Sequence, residues 1–242
     1  MEFLINKYIA NQGAVEKESV GCSMSTIKNA VKAQFGVFLP LHQIEDGTIV
    51  VFENETLKHA TGKDGYVNNI ETQADLKDYK FIGTNEQISS LAEVLKTIGG
   101  KVPVILNIKH FGKVGRFEEE LLKIINEYKG NIAVSSINPY SLEWFKLNAP
   151  NLLRGQIGGK FKHEEFLHNM KRRKRKLIKK LKFNKISEPN FIIYEAEHLP
   201  NRAARKNRAL PTLAFSLKSQ QEYMSKVKFC DNIIFEGFTP HI

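Results

Sequence analysis

The chain has 242 residues, of which 42% are hydrophobic, 26% charged and 10% aromatic. This composition excludes a disordered, collagenous or low-complexity chain, and the length suits one α/β domain with a sizeable core. The formal net charge of +10 is concentrated, because residues 160–182 carry eleven Lys or Arg against two Glu and leave the rest of the chain near neutral.

In chain order, short apolar runs rich in β-branched or aromatic residues alternate with longer stretches of helical period. This pattern is typical of repeated strand–helix units with parallel strands. The predicted strands are 7–11, 37–44 with 48–52 as an extension, 102–110, 131–137, 152–158, 191–195, 211–217 and 232–236. The predicted helices are 25–35, 90–98, 116–128, 139–147, 163–182, 201–209 and 219–227.

Eight strands and seven intervening helices predict a (β/α)8 TIM barrel, with residues 1–242 as a single domain. The main insertion, residues 54–88, is rich in Gly, Asn, Asp and Thr. We expect it to be a loop on the face where such barrels keep their active sites.

The cysteines and the apolar runs bear on cellular location. Cys22 and Cys230 are far apart and lack metal-ligand spacing, so we expect neither a disulfide framework nor a thiolate zinc site. No apolar run approaches the roughly 20 residues that span a bilayer, and the N-terminus lacks a basic region followed by an apolar one. We therefore expect a cytoplasmic protein, peripheral on the inner membrane face if its basic segment binds lipid.

Residues 36–65 read GVFLPLHQIEDGTIVVFENETLKHATGKDG and resemble a segment of the glycerophosphodiester phosphodiesterase family. The matching elements are Asp46-Gly47, Val50-Val51-Phe52, Leu57 and Ala60-Thr61-Gly62. Further similar stretches follow the family's order at 7–13, 89–95, 106–111, 133–138, 190–200, 211–217 and 231–236. The resemblance therefore covers nearly the whole chain and implies a TIM barrel of the PLC-like phosphodiesterase type.

The resemblance implies hydrolysis of glycerophosphodiesters to glycerol 3-phosphate and an alcohol, with two histidines as the acid and base. The family's first histidine falls on Asn11, its phosphate-facing arginine on Gln12 and its second histidine on Glu53. An amide cannot exchange protons near neutral pH, and one carboxylate without a partner acid is a weak catalyst. The residues at these positions therefore predict a catalytically inactive or redirected member.

The resemblance also implies a Mg or Ca cofactor, held by three carboxylates. The family positions of these carboxylates fall on Phe38, Pro40 and Lys109. Hard divalent cations need oxygen ligands, so we expect no metal at these positions. An active phosphodiester hydrolase with substitute residues stays an alternative, with Glu53, His42 and His110 as the candidate groups.

Two interpretations of Lys109 stay open. Its ammonium is either an anchor for a phosphoryl group or the partner of Glu53 in an ion pair that closes the pocket. The candidate ligand, a glycerophosphoryl-type or other anionic small molecule, would contact Asn11, Gln12, Glu53, Lys109 and Phe215, the last either as an apolar wall or as core.

The basic segment 163–183 predicts an amphipathic helix. Phe166, Met170, Leu177 and Leu181 recur near helical spacing, and cations occupy the other faces. The candidate membrane or polyanion residues are Lys171, Arg172, Arg173, Lys174, Arg175, Lys176, Lys179 and Lys180.

Three interpretations of this segment stay open: contact with anionic membrane, a barrel helix with solvated charges, and phosphate-dependent binding of nucleic acid. Nucleic acid is the least favoured partner, because the segment lacks interleaved aromatic residues and a recognisable module. The remaining histidines, His163, His168 and His198, show no metal-ligand spacing, and we expect them to be solvated.

Overall fold

Eight parallel strands close into a barrel in the computed structural model, which describes residues 1–14, 16, 20–110, 112–161 and 170–241. Strand β1 pairs with both β2 and β10, which closes the cylinder. The barrel strands are β1 (Ile9–Asn11), β2 (Gly36–Gln43), β5 (Val104–Ile108), β6 (Ile132–Ser136), β7 (Leu153–Gly158), β8 (Phe191–Glu195), β9 (Thr212–Leu217) and β10 (Asn232–Phe235). The predicted (β/α)8 fold is confirmed, and each of its eight strands is found.

The helices that follow the strands cover the outside of the barrel. They are α1 (Met24–Lys32), α2 (Lys58–Thr61), α3 (Leu91–Ile98), α4 (Arg116–Glu127), α5 (Pro139–Asn148), α6 (Arg172–Lys179), α7 (Asn184–Ser187), α8 (Arg202–Lys206) and α9 (Gln220–Lys226). Capping residues in the local sequence fix where several of these helices begin. Ser90 caps α3 in a reciprocal pair with Glu93, and the Asn138 side chain accepts a hydrogen bond from the amide of Tyr140 in α5.

The strand residues alternate between two hydrophobic clusters. Ile9, Phe38 and Ile105 belong to the cluster inside the barrel, whereas Val37 and Leu39 pack with helix residues outside it. This alternation follows from the period of two in a strand. At the mouth of the barrel, where the carboxyl ends of the strands meet, a side chain therefore points inward if it lies two residues after an inward-facing residue of the same strand, and outward if it lies one residue after it.

The insertion after β2 is a packed structure and not the open loop that the sequence predicted. Strand β3 (Ile49–Val51) returns antiparallel to β2 and pairs with the short β4 (Ser89–Ser90). Between them Leu57, Val67 and Phe81 are buried, each at most 2% exposed. These apolar residues are spaced irregularly among polar ones, so neither the helical nor the strand period made them visible.

Candidate functional site at the barrel mouth

The positions of the family's metal carboxylates on β2 face the barrel interior. Phe38 is 1% exposed, and its ring lies 5.4 Å from that of Phe215 on β9. Pro40 lies two residues further along the same strand and so on the same face. An aromatic ring and a pyrrolidine occupy this side of the mouth, and the half-buried Phe215 packs against the cluster inside the barrel.

Lys109 follows β5, and Glu53 follows β3. The Lys109 Nζ atom lies 2.5 Å from Glu53 Oε1, and the two side chains are only 15% and 26% exposed. The ion pair that was one of the two sequence interpretations is therefore present. Its ammonium stands on the strand position where the family has a carboxylate.

Asn11 ends β1 and is 3% exposed. Its Nδ2 atom donates a hydrogen bond to Glu236 Oε2 at 2.8 Å. The buried Oδ1 atom has no hydrogen-bond partner among the described residues. An acceptor left unsatisfied in this way costs about 1–3 kcal/mol, so the amide is suited to receive a ligand donor.

Cys22, which is 1% exposed, is electrostatically coupled to three of these groups, Glu53, Lys109 and Glu236. Burial raises the pKa of the Cys22 thiol, the Glu53 and Glu236 carboxylates raise it further, and the Lys109 ammonium lowers it. Neither Glu236 nor Cys22 was predicted from the sequence to be a member of the mouth. The signal for Glu236 was available, because it lies two residues after the inward-facing Ile234.

The remaining mouth candidates point elsewhere or are closed off. The Gln12 side chain lies against Gly21, in the loop before α1, since a Cβ built on Gly21 would meet Gln12 Oε1 at 2.1 Å. His42 is 8% exposed, and its Nε2 lies 3.4 Å from the Glu53 carbonyl oxygen. His110 stacks on Phe117 of α4 at 5.1 Å and therefore points out of the barrel.

A second polar cluster lies at the end of β8. His198 Nδ1 is 3.0 Å from Glu195 Oε2, and His198 Nε2 is 3.8 Å from Glu197 Oε1. The prediction that His198 is solvated is wrong, because its side chain is only 11% exposed. A short 3-10 turn over Ala196–His198 brings the three side chains together, which their sequence spacing alone did not indicate. His163 and His168 lie outside the described residues.

The basic helix ends earlier than the sequence predicts, and its buried apolar residues differ from the predicted ones. Helix α6 stops at Lys179 because Leu181 adopts a φ of +51°, a left-handed conformation that breaks the predicted continuation to 183. Ile178, Leu181 and Phe183 are buried, and Leu181 packs directly on Gly158 of β7. The face that packs on the barrel therefore consists of Ile178, Leu181 and Phe183, whereas Leu177 of the predicted stripe is 40% exposed. Phe166 lies outside the described residues.

The cations of this segment point into solvent. All eight of the predicted membrane or polyanion residues are exposed: Lys171, Arg172, Arg173, Lys174, Arg175, Lys176, Lys179 and Lys180. The Tyr194 hydroxyl near the end of β8 donates to the Lys179 carbonyl oxygen at 2.8 Å, and Leu181 contacts the last residue of β7. Helix α6 therefore ends level with the mouth, and its charges border it.

The fold and the position of the polar residues define a (β/α)8 barrel with a candidate site at the carboxyl ends of the strands. The chain is 33% identical over 135 residues to a glycerophosphodiester phosphodiesterase from Caldanaerobacter subterraneus subsp. tengcongensis, which covers 50% of this chain and 54% of that relative. The chain thus matches about half the length of this curated relative. No family model matches the sequence.

Solved structures agree over nearly the whole chain. A phosphodiesterase from Oleispira antarctica, in complex with the product sn-glycerol-3-phosphate, superposes with a TM-score of 0.77 at 14% identity, covering 97% of this chain and 94% of that one. The glycerophosphodiester phosphodiesterase of Thermotoga maritima gives 0.71 at 17% identity, covering 96% and 95%. The resemblance to the glycerophosphodiester phosphodiesterase family is confirmed, in sequence over half of the chain and in fold over nearly all of it.

The helices of the barrel are short or polar. No helix in the described part of the chain has both the length and the apolar character needed to cross a bilayer.

Proposed function

We propose that this chain is a glycerophosphodiester phosphodiesterase-type barrel that does not catalyse the family's hydrolysis and acts through binding. One observation carries the proposal: the inward positions of β2 hold Phe38 and Pro40, and the position on β5 holds Lys109 in an ion pair with Glu53. A Mg2+ or Ca2+ ion needs several oxygen ligands, which these side chains do not supply. The residues therefore do not fit the cation that the family implies, and no step of the reaction is derived through it.

The acid–base groups support the same conclusion. Asn11 has no group that titrates near neutral pH, and Glu53 is already engaged by Lys109. Burial lowers the pKa of His42 to about 4, helped by the Lys109 ammonium, so this imidazole is neutral at pH 7. A neutral, buried imidazole with such a low pKa is a poor proton donor for a leaving alkoxide.

The ligand we propose for the mouth is a glycerophosphoryl-type anion. The Oleispira antarctica neighbour holds sn-glycerol-3-phosphate, and Lys109 and the unsatisfied Asn11 amide oxygen offer this chain a cation and a hydrogen-bond acceptor for the phosphate and the glycerol hydroxyls. The anion has to compete with Glu53 for the ammonium. We therefore expect weak binding.

The first prediction is binding without turnover. Purified chain incubated with glycerophosphocholine or glycerophosphoglycerol and Mg2+, Ca2+ or Mn2+ should release no glycerol 3-phosphate above background. Titration calorimetry with glycerol 3-phosphate should show weak binding that is lost in Lys109→Met and kept in Lys101→Met, an exposed lysine away from the mouth. Metal-stimulated release of product would contradict the noncatalytic proposal, and unchanged binding by Lys109→Met would contradict the mouth as the site.

A second function, attachment to anionic membrane, is favoured by the basic surface on and beside α6. No cation between Lys171 and Lys182 forms an ion pair with any described residue. Each Lys or Arg near an anionic leaflet contributes about 1 kcal/mol, so eight form a strong but salt-sensitive attraction. Since Ile178, Leu181 and Phe183 pack on the barrel, we propose attachment mainly by charge, with the exposed Leu177 as a small apolar contact and the mouth held near the lipid headgroups.

The second prediction tests that attachment. Replacing the six cations from Lys171 to Lys176 with Gln should abolish flotation with phosphatidylserine-containing vesicles at physiological salt, while neutral phosphatidylcholine vesicles should bind neither protein. The matched control removes six dispersed and exposed charges by changing Lys28, Lys32, Lys77, Lys80, Lys96 and Lys101 to Gln.

The control has the same net charge as the test variant, so retained flotation in it assigns the effect to the α6 surface. Equal loss in both proteins would mean that overall charge drives attachment and would contradict a defined membrane surface. Duplex DNA or RNA that displaces the protein from vesicles at physiological salt would favour nucleic acid as the partner of the same surface.

A further inference from the structure

We propose that Glu195, Glu197 and His198 form a site for a divalent transition-metal ion such as Zn2+, separate from the family positions on β2 and β5. One ligand atom from each residue lies within 4.8 Å of the others. A nitrogen and two carboxylate oxygens form a donor set typical of Zn2+ and its neighbours, whereas Mg2+ and Ca2+ prefer oxygen alone.

The geometry between His198 and Glu195 carries this assignment. The His198 Nδ1 and Glu195 Oε2 atoms are 3.0 Å apart, yet the buried Nδ1 has no aligned hydrogen bond among the described residues. When Nδ1 is unprotonated, its lone pair and those of the carboxylate oxygen repel each other at this distance. A shared cation relieves that repulsion, and two ligands at about 2.1 Å from one ion lie about 3.0 Å apart at 90° and about 3.4 Å apart at the tetrahedral angle, so the observed spacing needs only a small adjustment.

Glu195 is held in place by the main chain. Its Oε2 atom accepts hydrogen bonds from the amides of Lys160 at 2.7 Å and Phe161 at 3.1 Å. Hydrogen bonds that orient a ligating carboxylate are the usual support of a metal ligand. His198 lies at the end of the short 3-10 turn that directly follows β8, and Glu195 is the last residue of that strand. The barrel therefore positions both ligands.

The charges of the three side chains and the exposure of Glu197 determine which ion the site suits and whether water can reach it. Two carboxylates balance the charge of a divalent ion, and Glu197 is 64% exposed, so solvent reaches one side of the cluster. The Lys226 ammonium, which contacts this segment, is directed to the carbonyl oxygens of Leu199 at 2.7 Å and Glu197 at 3.4 Å. An ion bound here would therefore keep water in its open positions, at the rim of the mouth beside α6.

The third prediction concerns this site. Titration of the full, untagged, chelator-treated chain with Zn2+ should show one equivalent of binding with micromolar affinity. His198→Ala should weaken that binding by at least about 10–100-fold, since even the loss of a residue that only orients a ligand costs that much. The matched control His59→Ala, which changes an exposed histidine of α2, should bind as the unmodified chain does.

Glu197→Gln provides a second test that does not depend on a buried side chain. Because Glu197 is largely exposed, this variant should keep the fold and still bind Zn2+ about 10-fold more weakly. Imidazole resonances of His198 should shift on Zn2+ addition in a nitrogen-15 spectrum. Absence of Zn2+ binding, or binding that neither variant changes, would overturn the site.

Discussion

Phe38→Ala is expected to lower the free energy of unfolding by about 3–5 kcal/mol, the usual cost of removing a buried phenylalanine. Phe38 is 1% exposed inside the barrel and packs against Phe215 at 5.4 Å. The truncation removes apolar area from the core and leaves a cavity that rigid strands on all sides cannot fill. Urea unfolding monitored by far-UV circular dichroism measures the loss.

A matched control shows whether the loss of stability comes from the buried position or from shortening any large apolar side chain. Leu147→Ala alters a residue that is 73% exposed and should change the free energy of unfolding by no more than about 0.5 kcal/mol. Phe38→Glu, which restores the carboxylate of the family pattern, should be more destabilising than Phe38→Ala because it buries a charge without a counterion. A loss below about 1 kcal/mol in Phe38→Ala would mean that this position is not part of the core.

The contribution of Phe38 to stability bears on whether this side of the mouth could hold a cation. If Phe38 contributes several kcal/mol to stability, this part of the barrel interior is built as core. A single Phe38→Glu substitution would then not create a cation site, since the ring of Phe215 and the Lys109–Glu53 ion pair lie beside it. Close-packed interiors respond to such a change as a unit.

The barrel could be predicted from the sequence because its elements carry strong local periods. The strand over Phe191–Glu195 was predicted to the residue, and the others differ by one or two residues at their ends. Periodicity and turn chemistry are local properties of the chain, so the features that depend on them were accessible.

The missed features depend on contacts between distant segments. Glu236 bonds to Asn11 across 225 positions of sequence, and Glu195 holds amides 34 and 35 residues away. The apolar stripe of the basic segment was visible, but its partner was not, because nothing in the sequence tells a lipid surface from the end of β7. Leu181 packs on Gly158, where the missing side chain makes room.

The position of His42 explains why its imidazole is neutral at pH 7. It lies between β2 and the ion pair, where burial lowers its pKa to about 4 and the positive charges of Lys109 and, to a smaller extent, His110 add to the shift. The Glu53 carbonyl oxygen near its Nε2 acts in the opposite direction and does not compensate for the burial. The imidazole is thus kept neutral by the packing around it.

This shift predicts a loss of stability in mild acid. In the unfolded chain the imidazole binds a proton near pH 6.5, whereas in the folded chain it does so only near pH 4. Between these values the unfolded state binds more protons, so the free energy of unfolding falls as the pH is lowered from 6.5 to 4. The full contribution is about 3 kcal/mol, present above pH 6.5 and lost below pH 4.

The measurement is urea unfolding at about pH 7.5 and about pH 4.5, compared between the unmodified chain and His42→Gln. The glutamine variant should lose about 2 kcal/mol less between the two pH values, because carboxylate titration acts on both proteins and only one of them titrates the buried imidazole. His59→Gln removes an exposed histidine and should keep the pH dependence of the unmodified chain. An equal pH dependence in His42→Gln would mean that His42 is protonated or solvated in the folded state, contrary to its burial at 8% exposure.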